Sequence, residues 1–207
     1  MSETRSVEIR RFIDGVLREP ERDDVACEEP LEIRVRGRAV SVTMRTPGHD
    51  AELAAGFLLT EGVVSKREDI VDIRPCDADT PEAENRIDVL LAPLVHVAFD
   101  RLTRHVFASS SCGVCGKATI EAVCQSREPL KSAMAVDATM LLSLPGKMRA
   151  AQAAFDRTGG IHAAALFDAR GDLIVLREDV GRHNAVDKVI GHALMPVSYT
   201  HLTLPTK

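Results

Sequence analysis

The stretch Leu173-Ile-Val-Leu-Arg-Glu-Asp-Val-Gly-Arg-His-Asn-Ala-Val-Asp-Lys-Val-Ile-Gly-His-Ala-Leu194 decides the fold. Leu173 to Leu176 is a short apolar run of strand type, and the polar segment from Arg177 to Asn184 turns the chain at Gly181. Ala185, Val186, Val189, Ile190 and Leu194 then recur at helical spacing on one face. Strand, glycine turn and helix start, in that order, belong to an α/β protein. The first N–H groups of a helix have no partner within it, so such a start is a common place for an anion to bind. Arg182 and His183 would add side-chain donors there, which suits a phosphate or pyrophosphate. The same charges serve equally for capping and solvation, and His183 with Asp187 can be only a surface pair.

Upstream, Thr158-Gly159-Gly160-Ile161-His162 leads into the apolar run Ala163 to Phe167, with a turn at Asp168 to Gly171. The double glycine by itself reads as a turn. His162, opening an apolar strand, fits a hydrogen-bonded core histidine as well as a functional one. Asp137 to Leu142 and Lys147 to Phe155 read as two helices split by Pro145-Gly146. Nearer the N-terminus, Leu31, Ile33 and Val35 alternate with Glu32, Arg34 and Arg36, Gly37-Arg38 turns the chain, and Val40 to Met44 alternates again. This predicts a hairpin with one face inward. Thr46-Pro47-Gly48-His49-Asp50 breaks the strand and predicts a helix with Asp50 as N-cap, an apolar stripe of Leu53, Phe57 and Leu58, and an end at Gly62. His49 reads as part of the turn. Strands follow at Asp69 to Arg74 and Arg86 to Leu91, separated by an acidic, proline-containing loop from Cys76 to Asn85.

The remaining chemistry lies in Ser111-Cys112-Gly113-Val114-Cys115-Gly116-Lys117, two thiols on a backbone loosened by glycines. That spacing supports metal ligation, disulfide exchange or carriage of sulfur as a persulfide. Structural zinc normally needs a second pair, and Cys27, Cys76 and Cys124 do not provide one. A zinc deaminase needs an H-x-E element and a proline before the cysteines. His96 precedes Val97-Ala98, His105 precedes Val106-Phe107, and Ser111 takes the proline's place, so no metal site is expected. Lys117 to Cys124 reads as a helix, whose dipole would lower the pKa of Cys112 or Cys115 and serve a carrier or a reductase alike. Inert buried thiols are the bland alternative, which the flanking glycines and serines disfavour.

The chain of 207 residues, 45% hydrophobic and 28% charged, has the composition of an ordinary globular protein. It shows no bilayer-spanning run and no signal peptide, so cytoplasm and no membrane are expected. Five cysteines, an odd count without a framework, agree with a reducing compartment. A net charge of -5 and the lack of Trp argue against nucleic acid as a partner.

Four segments together resemble one family: Thr46 to Gly62, Ser110 to Lys117, Thr158 to Asp168 and Arg177 to Gly191 are similar to the signatures of the FdhD/NarQ family of formate dehydrogenase accessory sulfurtransferases. The resemblance implies an α/β, cytidine-deaminase-like mixed-sheet fold with an additional N-terminal β-rich part, usually as a homodimer. It implies a sulfur carrier that takes persulfide sulfur from a cysteine desulfurase. The sulfur passes to the molybdenum bis(guanine dinucleotide) cofactor, the bound substrate, for formate dehydrogenase. Cys112 matches the family's persulfide cysteine and Cys115 its companion. Thr158, Gly159, Gly160, His162, Arg182, His183 and Asn184 become candidates for the cofactor surface. On this reading residues 1–100 are a β-rich portion with one helix, 101–194 a deaminase-like portion with the cysteine loop, and 195–207 a non-native tail on a C-terminally truncated chain. Two other classes remain open: a cofactor-binding scaffold without sulfur chemistry, and a thiol-disulfide oxidoreductase.

Overall fold

The computed structural model of the chain describes residues 2–76, 83–99 and 134–195. The cysteine loop with Cys112 and Cys115, the helix expected from Lys117 to Cys124, most of the acidic loop and the residues after 195 lie outside the described residues. Near the N-terminus, strands β1 (Thr4–Ile9), β2 (Phe12–Ile13), β3 (Val16–Leu17) and β4 (Glu21–Ala26) build a two-stranded arm. β1 pairs antiparallel with β4 and β2 with β3. Asp14 and Gly15, at φ 52° and 78°, form the left-handed pair that matches a two-residue turn to the twist of its strands. No residue from Ser2 to Glu28 is fully buried.

The expected hairpin is β5 (Glu29–Val35) and β6 (Arg38–Arg45). Its turn is Arg36-Gly37, at φ 50° and 76°, one residue earlier than Gly37-Arg38. The inward face holds on β5, where Leu31, Ile33 and Val35 are buried. On β6 the phase is inverted. Register passes from Ile33 opposite Ser41 to Arg34 opposite Ala39, which leaves Val40 as a bulge. Val40 is buried, but Val42 and Met44 are 42% and 48% exposed on the outer face. Ser41, Thr43 and Arg45 therefore share the inner face with Leu31 and Ile33.

Helix α1 (Asp50–Thr60) follows, with Leu53 and Leu58 buried and Phe57 half-buried against the sheet. Its N-cap is His49, at φ 57°, rather than Asp50. Asp50 lies already inside the first turn because its carboxylate is held by the buried Arg45, Nε at 2.9 Å and Nη2 at 3.0 Å. Strands β7 (Ile70–Pro75) and β8 (Arg86–Leu91) fall where the alternation puts them. The sheet order is β6-β5-β8-β7, with β8 parallel to β5 and antiparallel to β7. Ile87, Val89 and Leu91 join the β5 side chains and α1 in one apolar core. Truncating a fully buried member such as Leu53 to Ala costs about 2–5 kcal/mol.

Helix α2 (Ala138–Ala150) runs unbroken through Pro145 and Gly146, where two helices were expected. Asp137 caps it by accepting from the N–H groups of Thr139 and Met140. No residue of α2 is buried, so water can replace the hydrogen bond that Pro145 cannot donate. Lys147 donates to the Gly171 carbonyl, and Met140 and Leu144 fill the space beside Gly171. Helix α3 (Ala153–Thr158), strands β9 (His162–Phe167) and β10 (Leu173–Asp179) and helix α4 (Arg182–Leu194) complete the described chain. The strand, glycine turn and helix read at 173–194 are present as expected.

Helix α4 lies between α1 and the β9–β10 ladder. Gly56 and Gly191 allow the α1 and α4 backbones to meet. A Cβ on Gly56 would stand 1.9 Å from the Asp187 carbonyl oxygen, and one on Gly191 1.8 Å from that of Glu52. Among the described residues no helix is long and apolar enough to cross a membrane.

Candidate functional site

The corner between β6 and α1 meets the corner between β10 and α4 in a buried polar seam. Asp179 and Lys188, 0% and 1% exposed, form an ion pair of 2.7 Å. Two buried charges are stable only when further hydrogen bonds join the pair, and both members make them. Lys188 Nζ also donates to the Thr46 carbonyl at 2.8 Å. Asp179 Oδ2 accepts from Thr46 N at 3.1 Å, and Oδ1 accepts from Gly181 N at 2.8 Å and Asn184 Nδ2 at 3.0 Å. Thr46 Oγ1 accepts from Val180 N at 3.1 Å. Asn184 Nδ2 donates as well to the Met44 carbonyl at 2.7 Å, while its Oδ1 accepts from the Thr43 hydroxyl at 3.1 Å. The β6 bulge makes that last contact possible by turning Thr43 inward. Gly181 is required where it stands, since a Cβ would lie 2.7 Å from Asn184 Nδ2. The start of α4 is thus locked from beneath, with no side chain capping its N-terminus.

A second cluster adjoins the seam. The Glu52 carboxylate takes Arg177 in a two-point pair, Nε at 2.6 Å and Nη2 at 2.8 Å, and meets His192 Nδ1 at 2.9 Å. His49 Nδ1 lies 3.5 Å away. Burial alone would raise the Glu52 carboxyl, but the hydrogen bonds from Arg177 and His192 outweigh it and hold the group below its ordinary range. Burial, helped by the Arg177 charge, lowers His49. Farther along the same α1–α4 contact, burial drives the Asp187 carboxyl up to about 7, against the hydrogen bond donated by Thr60 at 3.1 Å. Asp187 therefore faces α1, and among the described residues no ion pair joins it to His183.

The candidate residues divide into two groups. Arg182 and His183 are exposed on the first turn of α4, and Gly160 and His162 are exposed at the start of β9. The ladder sets His162 opposite Asp179, so both segments lie at one end of the β9–β10 ribbon. Exposure rules out the core-histidine reading of His162. Asn184 is committed to the seam. The Thr158 hydroxyl donates to the Ala154 carbonyl at 2.8 Å, and Gly159, left-handed at φ 63°, ends α3 with its N–H on the Phe155 carbonyl at 2.7 Å. Sequence reasoning missed Thr46, Glu52, Arg177, Asp179, Lys188 and His192 as partners. One signal was available: Lys188 falls on the Ala185 and Val189 face of α4, a charge inside an apolar stripe.

The fold and the seam define a mixed α/β protein whose N-terminal sheet and helix are tied to a C-terminal strand–turn–helix. The chain belongs to the FdhD/NarQ family, whose model matches residues 26–201. It is 54% identical over 177 residues to the sulfur carrier protein FdhD of Mycolicibacterium paratuberculosis, covering 83% of this chain and 65% of that protein. To the sulfur carrier protein FdhD of Streptomyces coelicolor it is 49% identical over 178 residues, covering 83% and 63%. The chain thus spans a little under two thirds of the length of these two relatives. Its fold is shared with a crystal structure described as a formate dehydrogenase accessory protein from Desulfotalea psychrophila. The TM-score is 0.71 at 24% identity, over 93% of this chain and 70% of that one.

Proposed function

We propose that this chain is a sulfur carrier that holds sulfur as a persulfide on Cys112. The observation that carries the reading is its identity of 54% and 49% to proteins named sulfur carrier protein FdhD, together with the Cys112-Gly-Val-Cys115 spacing. The Cys112 thiolate attacks the outer sulfur of a cysteine desulfurase persulfide. A Cys112 sulfur–sulfur bond forms, the donor's sulfur–sulfur bond breaks, and the donor cysteine leaves as a thiolate without net oxidation. If Cys115 then attacks Cys112 Sγ, hydrosulfide leaves and a Cys112–Cys115 disulfide remains, which a thiol reductant must reopen.

The acceptor in this reading is the molybdenum bis(guanine dinucleotide) cofactor destined for formate dehydrogenase. Its pyrophosphates suit the exposed Arg182 and His183 at an uncapped helix start, with Gly160 and His162 alongside. The Asp179–Lys188–Thr46 lock supports this by holding that start rigid before a ligand arrives. In cytoplasm, a reducing compartment, the thiols stay available.

Intact-protein mass spectrometry after incubation with a cysteine desulfurase and cysteine tests the reading. A gain of about 32 Da that disappears in Cys112→Ala is expected for one sulfur held as a persulfide. A folded chain that gains no sulfur refutes it and favours the scaffold, and a Cys112–Cys115 disulfide cycling without added sulfur favours the oxidoreductase.

A further inference from the structure

Three consecutive residues at the end of β10 grip three different helices. Arg177 holds α1 through Glu52, and Asp179 holds the start of α4 through Lys188, Gly181 and Asn184. Glu178 lies between them and, because side chains alternate along a strand, projects from the opposite face of the ribbon. There its carboxylate takes the start of α3: Oε2 accepts from Ala154 N and Oε1 from Phe155 N, both at 2.8 Å. Hydrogen bonds to an ionised carboxylate are the stronger kind. Ala154 is 1% exposed, so water does not replace them.

Helix α3 depends on this grip. Six residues are too few to sustain a helix alone, and its N-cap, Gln152, makes no side-chain capping bond. The link to α2, through Arg149 on Asp156 and over the Phe155 ring, runs between exposed charges and is weak. About 8 Å beyond Ala154, at 1.5 Å per residue, α3 ends in the left-handed Gly159, and the chain passes through Gly160 to His162. Gly160 and His162 are one half of the ligand surface proposed above; Arg182 and His183 are the other. The ladder sets Glu178 opposite Ala163 and Asp179 opposite His162. Adjacent residues of one strand therefore fix the two halves separately, Glu178 the glycine turn and Asp179 the α4 start.

We propose that Glu178 is a positioning residue for the anion bound at this surface. It holds the glycine turn at a fixed distance from the α4 start, so that a diphosphate meets both halves at once without touching Glu178 itself. The inference rests on reading that surface as a pyrophosphate site.

Isothermal titration calorimetry of the full chain with inorganic pyrophosphate and with GDP tests it, at a temperature where circular dichroism shows each variant folded. Under that condition lost stability alone leaves Kd unchanged. Glu178→Ala and Glu178→Gln remove the same negative charge, and removal of a charge alone would tighten anion binding in both. Glutamine keeps an oxygen that accepts from one of the two N–H groups, and alanine keeps none. Glu178→Ala is expected to weaken both ligands at least about tenfold, and Glu178→Gln to stay within about threefold of wild type. Should Glu178→Ala not fold, Glu178→Asp decides. It keeps the charge but draws the carboxylate back by about 1.5 Å, and is expected to weaken both ligands at least about threefold. Binding by Glu178→Ala or Glu178→Asp as tight as wild type, or a loss in Glu178→Gln as large as in Glu178→Ala, overturns the proposal. Wild type that binds neither pyrophosphate nor GDP refutes the reading of the surface, and the proposal falls with it.

Discussion

Among the described residues, three glycines lie inside helices, and Gly→Ala should change stability in opposite directions among them. Intrinsic propensity favours Ala by about 1 kcal/mol at any helix interior. At Gly146 in α2 nothing lies within 4 Å of the added Cβ, so that gain should appear in full. At Gly191 the Cβ would sit 1.8 Å from the Glu52 carbonyl oxygen, 2.6 Å from its carbon and 2.9 Å from the Gly56 nitrogen. All three are backbone atoms that cannot rotate away. To restore ordinary contact the α1 and α4 axes must part locally by about 1.5 Å, in an interior with no slack. Overpacking typically costs about 1–3 kcal/mol and more where neither side yields. The separation also strains the Glu52–Arg177 pair and the Thr60–Asp187 hydrogen bond. We expect Gly191→Ala to lose about 3 kcal/mol net, a large share of the roughly 5–15 kcal/mol of a typical domain. Urea unfolding followed by far-ultraviolet circular dichroism reads this as a midpoint about 1.5 M lower at an m-value near 2 kcal/mol/M. Gly146→Ala should move the midpoint up. If Gly191→Ala matches or exceeds wild type, or if both variants shift the same way, the close backbone crossing is not what holds α1 to α4.

Lys188→Met leaves the Asp179 charge buried without its partner and should cost about 3–5 kcal/mol by the same unfolding assay. Adding Asp179→Asn should recover part of the loss, since the amide oxygen still accepts while the charge is gone. Asp187, with its folded pKa at about 7 and an unfolded value of 3.8, is preferentially neutral in the fold. Its linkage therefore lowers stability as pH rises from about 4 to about 7 and adds nothing further above that, up to about 4 kcal/mol in all. Asp187→Asn should remove this slope, so parallel stability-against-pH curves for variant and wild type would contradict it. Glu52 works in the opposite sense: its lowered pKa contributes stability above the ordinary carboxylate range that is lost as pH falls through the folded value. Glu52→Gln should flatten the acid limb, measured by thermal melts between neutral pH and acid.

What the sequence revealed and what it concealed follow one physical division. Elements governed by neighbours in the chain were legible: the alternation of β5, the apolar stripe of α1, and the strand and helix either side of Gly181. Errors arose where a distant partner overrode a local preference. Asp50 is a good N-cap by type, but the buried Arg45 takes its carboxylate and His49 ends up at the cap. Val42 and Met44 alternate as an inner face should, until one bulged residue, Val40, reverses β6. Pro145-Gly146 reads as a break, yet an exposed helix held through Lys147, Met140 and Leu144 continues through it. The seam was the least legible part, because Thr46 and Lys188 meet across 142 positions and no window on the sequence contains both. The α4 start was visible as an anion candidate; what fixes it was not.

The packing of α1 on α4 also carries a cost in time. Thr60 and Asp187 are 127 positions apart, so on the ribosome α1 is synthesised long before the helix that covers it. At roughly 5–20 residues per second that interval is on the order of ten seconds. Throughout it, Gly56 and the small residues around it present a bare groove shaped for a backbone not yet made. The arrival of Gly191, whose backbone packs against Glu52 and Gly56, closes it.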